Sequence, residues 1–196
     1  MSAETAKHST RLLDYPWTIV AGLAGIALSL ALLPLPAGAF AAALAALAIF
    51  IAAVDLEHLI IPDLANAAIF VLGLALTLTE APRGGYTDAL VDALLRVIVA
   101  GGLLFLLRFA YARRAGVTGL GLGDVKLAAA GATFLPWQTL PLALALAAVA
   151  GILVVLTRAV IRRERVDRRH ELPFGAFLAP AIWLAFMLDR MGLLVL

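Results

Sequence analysis

Long apolar runs alternate with short polar breaks along this chain. Seven runs stand out, at 17–35, 37–54, 64–79, 89–111, 125–135, 139–157 and 174–188. A helix needs about 20 apolar residues to cross a bilayer, somewhat fewer when short or paired. The fifth run is short, so it is expected to be tilted, half-buried or partly re-entrant. The breaks have local causes. Leu33-Pro34-Leu35-Pro36 stops the first run, because proline removes a donor and clashes with the preceding turn. Gly84-Gly85 opens a polar loop after the third run, and Pro136-Trp137 separates the fifth from the sixth. The pattern predicts an all-α polytopic membrane protein, a bundle of about seven transmembrane helices. It reads as a single domain over 1–196 with an N-terminal tail at 1–16. The apolar run before Ala37-Gly38-Ala39 is longer than a signal-peptide core, so it is read as a retained span.

Composition agrees with the pattern. Of the 196 residues, 64% are hydrophobic and 14% charged, with a mean hydropathy of +1.04. Soluble domains carry roughly 45–50% apolar and about 25% charged residues, so too little polar surface exists to coat a water-soluble globule. The net charge of +2 does not point to nucleic acid, because the basic residues sit between apolar runs. Counting connections alternately, one side holds Lys7, Arg11, Arg108, Arg113, Arg114, Lys126, Arg158, Arg162, Arg163, Arg165, Arg168 and Arg169. The other side or the spans hold Arg83, Arg96 and Arg190. The positive-inside rule then puts the N-terminus in the cytoplasm. With no Cys, a disulfide framework, a thiol nucleophile and a Cys-based zinc site are excluded.

Against this background, acidic residues at span ends invite explanation, since an aspartate at a helix centre costs about 2.5–3.5 kcal/mol on insertion scales. Asp55 ends the second run, in Val54-Asp55-Leu56-Glu57-His58-Leu59-Ile60-Ile61-Pro62-Asp63, and Pro62 suits the first turn of the third. Asp124 opens the fifth run, in Gly119-Leu120-Gly121-Leu122-Gly123-Asp124-Val125-Lys126. The topology brings both aspartates to the cytoplasmic face from different helices. The glycines before Asp124 are expected to allow left-handed backbone and close approach of another backbone, such as an extended substrate strand. A helix N-terminus at Asp124 is expected to favour its charged form. Two neighbouring carboxylates hold one proton between them, so one can activate water while the other assists the oxyanion and the leaving amine. Which does which is not set, because the two titrate as a pair.

Asp55 with Ile61-Pro62-Asp63, Gly121-Leu122-Gly123-Asp124-Val125-Lys126, and Leu172-Pro173-Phe174-Gly175-Ala176-Phe177 together resemble the type IV prepilin peptidase family. Its members are membrane aspartyl proteases with a Gly-x-Gly-Asp motif. The resemblance implies Asp55 and Asp124 as the catalytic pair. Pro62, Asp63, Gly121, Gly123, Lys126, Pro173, Phe174 and Gly175 would be motif or substrate-groove residues, with Asp63 read as structural. It also implies removal of basic leader peptides from prepilin or pseudopilin helices at the cytoplasmic face of the plasma (inner) membrane. No metal and no organic cofactor are expected. Many bacterial members carry an additional cysteine-bearing cytoplasmic region and methylate the new pilin N-terminus. This chain has no Cys and no such region between its first two runs, so it resembles the peptidase-only form, and S-adenosylmethionine is not expected.

Plainer readings exist for each residue. Singly, Asp55 and Asp124 would be helix-end acids facing water, and only their combination with the glycine loop points to chemistry. Glu57, His58 and His170 lack metal-ligand spacing. Lys126 is read as a headgroup anchor rather than a catalytic group. Asp92 and Arg96, four apart, are read as a mutually neutralising pair facing the bundle. The basic stretch from Arg162 to His170 is read as a topology anchor on anionic lipid. The competing function is a small transporter or channel whose edge carboxylates relay protons or cations. A presenilin-like protease is disfavoured by Val54 before Asp55 and the Ile-Pro turn after it.

Overall fold

The computed structural model describes residues 16–116, 119–161 and 172–194. The N-terminal tail and the basic stretch at 162–171 lie outside the described residues, so the anchor reading of that stretch stays an expectation. The described chain is all-helical: α1 (Pro16–Leu32), α2 (Ala37–His58), α3 (Asp63–Glu80), α4 (Tyr86–Ala115), α5 (Leu122–Gly131), α6 (Thr139–Ile161) and α7 (Gly175–Arg190). Four of them, α2, α3, α4 and α6, are long and apolar enough to cross a membrane, and α1 is a slightly shorter apolar helix. The fold is a polytopic membrane bundle.

Helix α2 is its centre. Ala41, Leu44, Ala45, Ala48, Ile51, Ala52 and Asp55 recur every three or four positions and are all buried. Small residues on this stripe let neighbours approach closely, which is how helices associate in lipid. Gly25 of α1 shows how close: a Cβ there would lie 3.1 Å from the Ala45 methyl. Helix α7 packs on the same stripe, and its Trp183 Nε1 donates to Ser29 Oγ of α1 at 3.0 Å. Asp55 therefore ends a core-facing stripe, which is why its carboxyl is taken out of solvent.

The turn between α2 and α3 follows from local chemistry. Leu59 caps α2 in the left-handed region at φ 55°, with its N–H donating to Asp55 O. Pro62 then forces extended backbone and serves as N-cap of α3, with Asp63 favourably placed in the first turn.

The fifth run departs from a plain span. Helix α5 has ten residues, about 15 Å at 1.5 Å per residue, half the hydrocarbon thickness. The chain still passes from one face of the bundle to the other. At one end Lys126 Nζ meets Asp63 Oδ1 at the start of α3. At the other, Trp137 Nε1 donates to Asp92 near the start of α4, and Thr139 donates to Asp189 at the end of α7. A helix that stops inside the bundle leaves carbonyls without partners, which lipid cannot satisfy. The N–H groups of the turn that follows take up the last carbonyls of α5, and Arg96 of α4 donates to two carbonyls of that turn, Ala132 O and Leu135 O. Asp92 Oδ2 lies 3.1 Å from Arg96 Nε as an ion pair, out of line with its N–H. The expected neutralising pair is present, but only Arg96 faces the bundle, because Asp92 is half exposed.

Glycine makes room for α5 on two sides. A Cβ at Gly73 of α3 would fall 1.7 Å from Thr133 Oγ1, and one at Gly131 would fall 2.5 Å from Ile182 Cδ1 of α7. A cavity of about 330 Å³ lies at this Trp137 end, lined in part by Arg96, Asp92, Glu80 and Arg190, and holds neither Asp55 nor Asp124.

Candidate active site

Three helix termini meet at the opposite end: the last turn of α2, and the first turns of α5 and α7. Asp55 and Asp124 are both buried, at 4% and 7% exposure. Asp55 Oδ2 accepts the backbone N–H of Ala176 at 2.8 Å. The Gly175 N–H lies close to both carboxylates. The first N–H groups of a helix have no partner within it and carry the positive end of its dipole, so the α7 N-terminus is suited to hold negative charge between the two acids.

Asp124 is at the third position of α5. Its Oδ2 accepts the Gly121 N–H at 3.1 Å, which closes the helix start. The helix start favours the charged form of this acid, as expected, through the Gly121 N–H, but it does not decide the balance. Burial, and then the charge of Asp55, push the Asp124 carboxyl from 3.8 up to about 6, against the opposing pull of the Gly121 N–H, the Arg108 charge and the Gly175 N–H. Withdrawal from solvent outweighs the dipole here.

The glycines act by closeness rather than by handedness. Gly121 has φ −67°, and neither Gly119, Gly121 nor Gly123 has positive φ, so the expected left-handed backbone is absent. A Cβ on Gly121 would sit 2.9 Å from Asp124 Oδ2, and one on Gly119 would sit 2.6 Å from the Tyr111 ring. Gly123 and Gly175 face the same buried partner, Ile61. A Cβ on Gly123 would approach Ile61 Cβ to 3.1 Å, and one on Gly175 would reach Ile61 Cδ1 at 2.4 Å and Asp55 Oδ2 at 3.0 Å. The close approach is thus made by groups of this chain. Ile61 locks the three sequence segments together, and nothing in the sequence singled it out beyond its place before Pro62.

The remaining motif residues sort by position. Pro62 and Asp63 open α3. Lys126 reaches Asp63 at 2.7 Å with both side chains more than half exposed, so the lysine bridges α5 to α3 where a headgroup anchor was expected. Pro173 precedes α7 and Phe174 is its N-cap, with the Phe174 ring packed against the core. Sequence reasoning missed Arg108, which it counted only as a topology charge. Its Nη1 donates to Leu120 O. An arginine inside the fourth apolar run, three residues before its end and shortly before a glycine-rich stretch, was the available signal. Among the described residues no three His, Asp or Glu side chains come together in a way that could hold a metal ion.

Comparison with known proteins follows this geometry. Residues 42–156, which include both aspartates and end before Gly175, match the model of the type IV leader peptidase family. The chain is 31% identical over 134 residues to the prepilin leader peptidase/N-methyltransferase of Aeromonas salmonicida (strain A449), covering 68% of this chain and 44% of that protein. It is 31% identical over 173 residues to the protein of the same name from Pectobacterium carotovorum subsp. carotovorum, covering 88% and 60%. The one from Burkholderia pseudomallei (strain 1026b) is 34% identical over 146 residues, covering 74% and 45%. The chain therefore spans about half the length of these curated relatives. No solved structure gives a significant match. With a family match over more than half its length and relatives above 30% identity along most of it, the chain belongs to the type IV leader peptidase family.

Proposed function

We propose that this protein is a membrane-embedded aspartic endopeptidase that removes the leader peptide of prepilin or pseudopilin substrates. It acts at the cytoplasmic face of the plasma (inner) membrane and uses Asp55 and Asp124 as its catalytic pair. The observation that carries the reading is the convergence of two buried carboxylates, from α2 and α5, on the N-terminal amides of α7. Family membership supplies the reaction class.

The chemistry follows from the pair. With one proton shared, the ionised carboxylate takes a proton from water as it attacks the scissile carbonyl. The protonated partner hydrogen-bonds the developing oxyanion and then protonates the departing amine. Asp124, with its carboxyl pushed up to about 6, is the better candidate for the protonated member, although the two titrate as a unit. The substrate enters as an apolar helix from the bilayer, and its leader junction unwinds at the site. Unwinding is needed because a helical peptide bond is shielded by its own turn, and lipid does not tolerate open backbone. The proposal covers the peptidase step and takes the whole chain as one peptidase unit. It assigns no N-methyltransferase activity, metal or organic cofactor.

The test is cleavage of a co-expressed prepilin by the unaltered protein, Asp55→Asn and Asp124→Asn at equal membrane levels. Loss of processing in each single variant is the expected result. Processing that survives in both would end the two-aspartate reading.

A further inference from the structure

The Leu120–Gly121 peptide unit is held from both sides. Its carbonyl accepts a hydrogen bond from Arg108 Nη1 of α4. Its N–H donates to Asp124 Oδ2 at 3.1 Å. One rigid peptide plane thus links the guanidinium to the carboxylate.

Three features show that this link is not incidental. Arg108 is half-buried and continues the stripe of α4 that faces α5, after Gly101, where a Cβ would lie 3.1 Å from the Ala129 methyl, and the buried Leu104. It is therefore turned toward the bundle rather than free to reach headgroups. A cation beside a helix N-terminus is also poorly placed with respect to the helix dipole, so the α5 backbone gives no reason for its position. The Asp124 carboxylate does, and Arg108 is the charged side chain whose field draws that acid toward ionisation. Finally, the loop has glycine at 119, 121 and 123, and glycine loses the most conformational freedom when fixed. Such a loop needs an external clamp. Helix α4 provides two, Arg108 on Leu120 and the Tyr111 ring on Gly119.

We propose that Arg108 is a positioning residue for the aspartate pair: it fixes the Leu120–Gly121 peptide so that its N–H holds Asp124, and its charge offsets that of Asp55. The proposal rests on the two-aspartate reading. The groups facing Asp124 are Asp55 from α2, Arg108 from α4, and the Gly175 amide from α7. Lys126, on its own helix, is tied to Asp63 of α3. Of the cations, Arg108 is the one bonded to the loop that carries Asp124.

The experiment is a pH–rate profile for prepilin cleavage by the purified full chain in lipid vesicles, unaltered and as Arg108→Lys and Arg108→Met. A nearby positive charge favours the carboxylate, so its removal raises the acid's midpoint. Arg108→Met should lower kcat/KM roughly tenfold or more and move the alkaline limb up by about half a pH unit or more. Arg108→Lys keeps the charge and loses the fork, so it should retain the limb and recover only part of the rate. A lowered rate with the limb unmoved in the Met variant, or Lys and Met variants alike, overturns the proposal. Should Arg108→Met not accumulate in membranes, Arg108→Lys decides: an unchanged rate or a moved limb overturns it. Should the unaltered protein cleave no prepilin, the proposed function fails first. The Asp124 titration is then read directly, from the infrared carboxyl band that Asp124→Asn removes. A midpoint that does not rise in Arg108→Met overturns the positioning role on its own.

Discussion

Asp55 Oδ2 accepts the backbone N–H of Ala176 at 2.8 Å, joining the last turn of α2 to the first turn of α7 across 121 positions of chain. Gly175, just before that N–H, sits so close that any side chain would press on both Asp55 and Ile61. The bond and the missing side chain are two parts of one arrangement. The helix can present its first amides to the carboxylate only because nothing projects between them.

Gly175→Ala should therefore disable cleavage. Its Cβ would lie 2.4 Å from Ile61 Cδ1 and 3.0 Å from Asp55 Oδ2. Overpacking of this kind costs about 1–3 kcal/mol, and a small misplacement at a reacting group can cost about 100-fold in rate. Combining it with Ile61→Ala should restore part of the activity by opening the space. If Gly175→Ala cleaves prepilin at the unaltered rate, the packing account is wrong.

The raised Asp124 carboxyl sets a pH dependence with a definite sign. Its folded value is about 6 against an ordinary 3.8, from burial first and Asp55 second. The folded state holds this proton more tightly than the unfolded state. Stability from this group is thus fullest below 3.8 and declines as pH rises to about 6. Asp124→Asn, which cannot ionise, should be more stable than the unaltered protein near about pH 8, by about 1–3 kcal/mol. The difference should fade toward about pH 4. Thermal unfolding in detergent at both values measures it, and a variant that is less stable at the higher pH would contradict the assignment. Cleavage, which needs one proton on the pair, should decline above about pH 6.

Arg96→Gln should destabilise the bundle without touching the candidate site. The shorter, uncharged amide does not reach the two carbonyls that Arg96 Nη1 serves, Ala132 O and Leu135 O, in the turn where α5 ends inside the protein. Each buried carbonyl left unpaired costs about 1–3 kcal/mol. Arg96→Lys should recover part of the loss, since an ammonium can still donate to one carbonyl. The melting temperature and the amount of protein in the membrane are the readouts. An unchanged melting temperature in Arg96→Gln would show that other groups satisfy those carbonyls.

The Asp63–Lys126 pair should matter much less than its place in two motifs suggests. Both side chains are more than half exposed, and exposed ion pairs contribute about 0–1 kcal/mol. Lys126→Ala and Asp63→Ala should each change stability by less than about 1 kcal/mol and cleavage by less than about fivefold. A larger loss of cleavage at unchanged stability would instead place Lys126 in contact with substrate.

Much of this molecule is legible in one dimension because lipid makes strong local demands. Unbroken apolar runs, proline and glycine breaks, and the one-sided distribution of Lys and Arg are local properties, and they determine an all-helical membrane bundle with Asp55 and Asp124 at helix ends. The same local reading has a limit at 125–135. Apolar content alone does not tell a full span from the ten-residue α5, which gives way to a turn whose carbonyls at Ala132 and Leu135 are taken up by Arg96 from α4. The glycines show the limit again. Their spacing marked a special loop, yet the purpose of Gly123 and Gly175 is room for Ile61, a contact that exists only once α2, α5 and α7 are packed. The charge state of Asp124 belongs to the same class. A helix start favours its carboxylate, while burial and Asp55 oppose it, and both opposing influences come from neighbours distant in sequence. Local chemistry chose the elements and the face on which the acids lie; packing between distant segments decided what surrounds them.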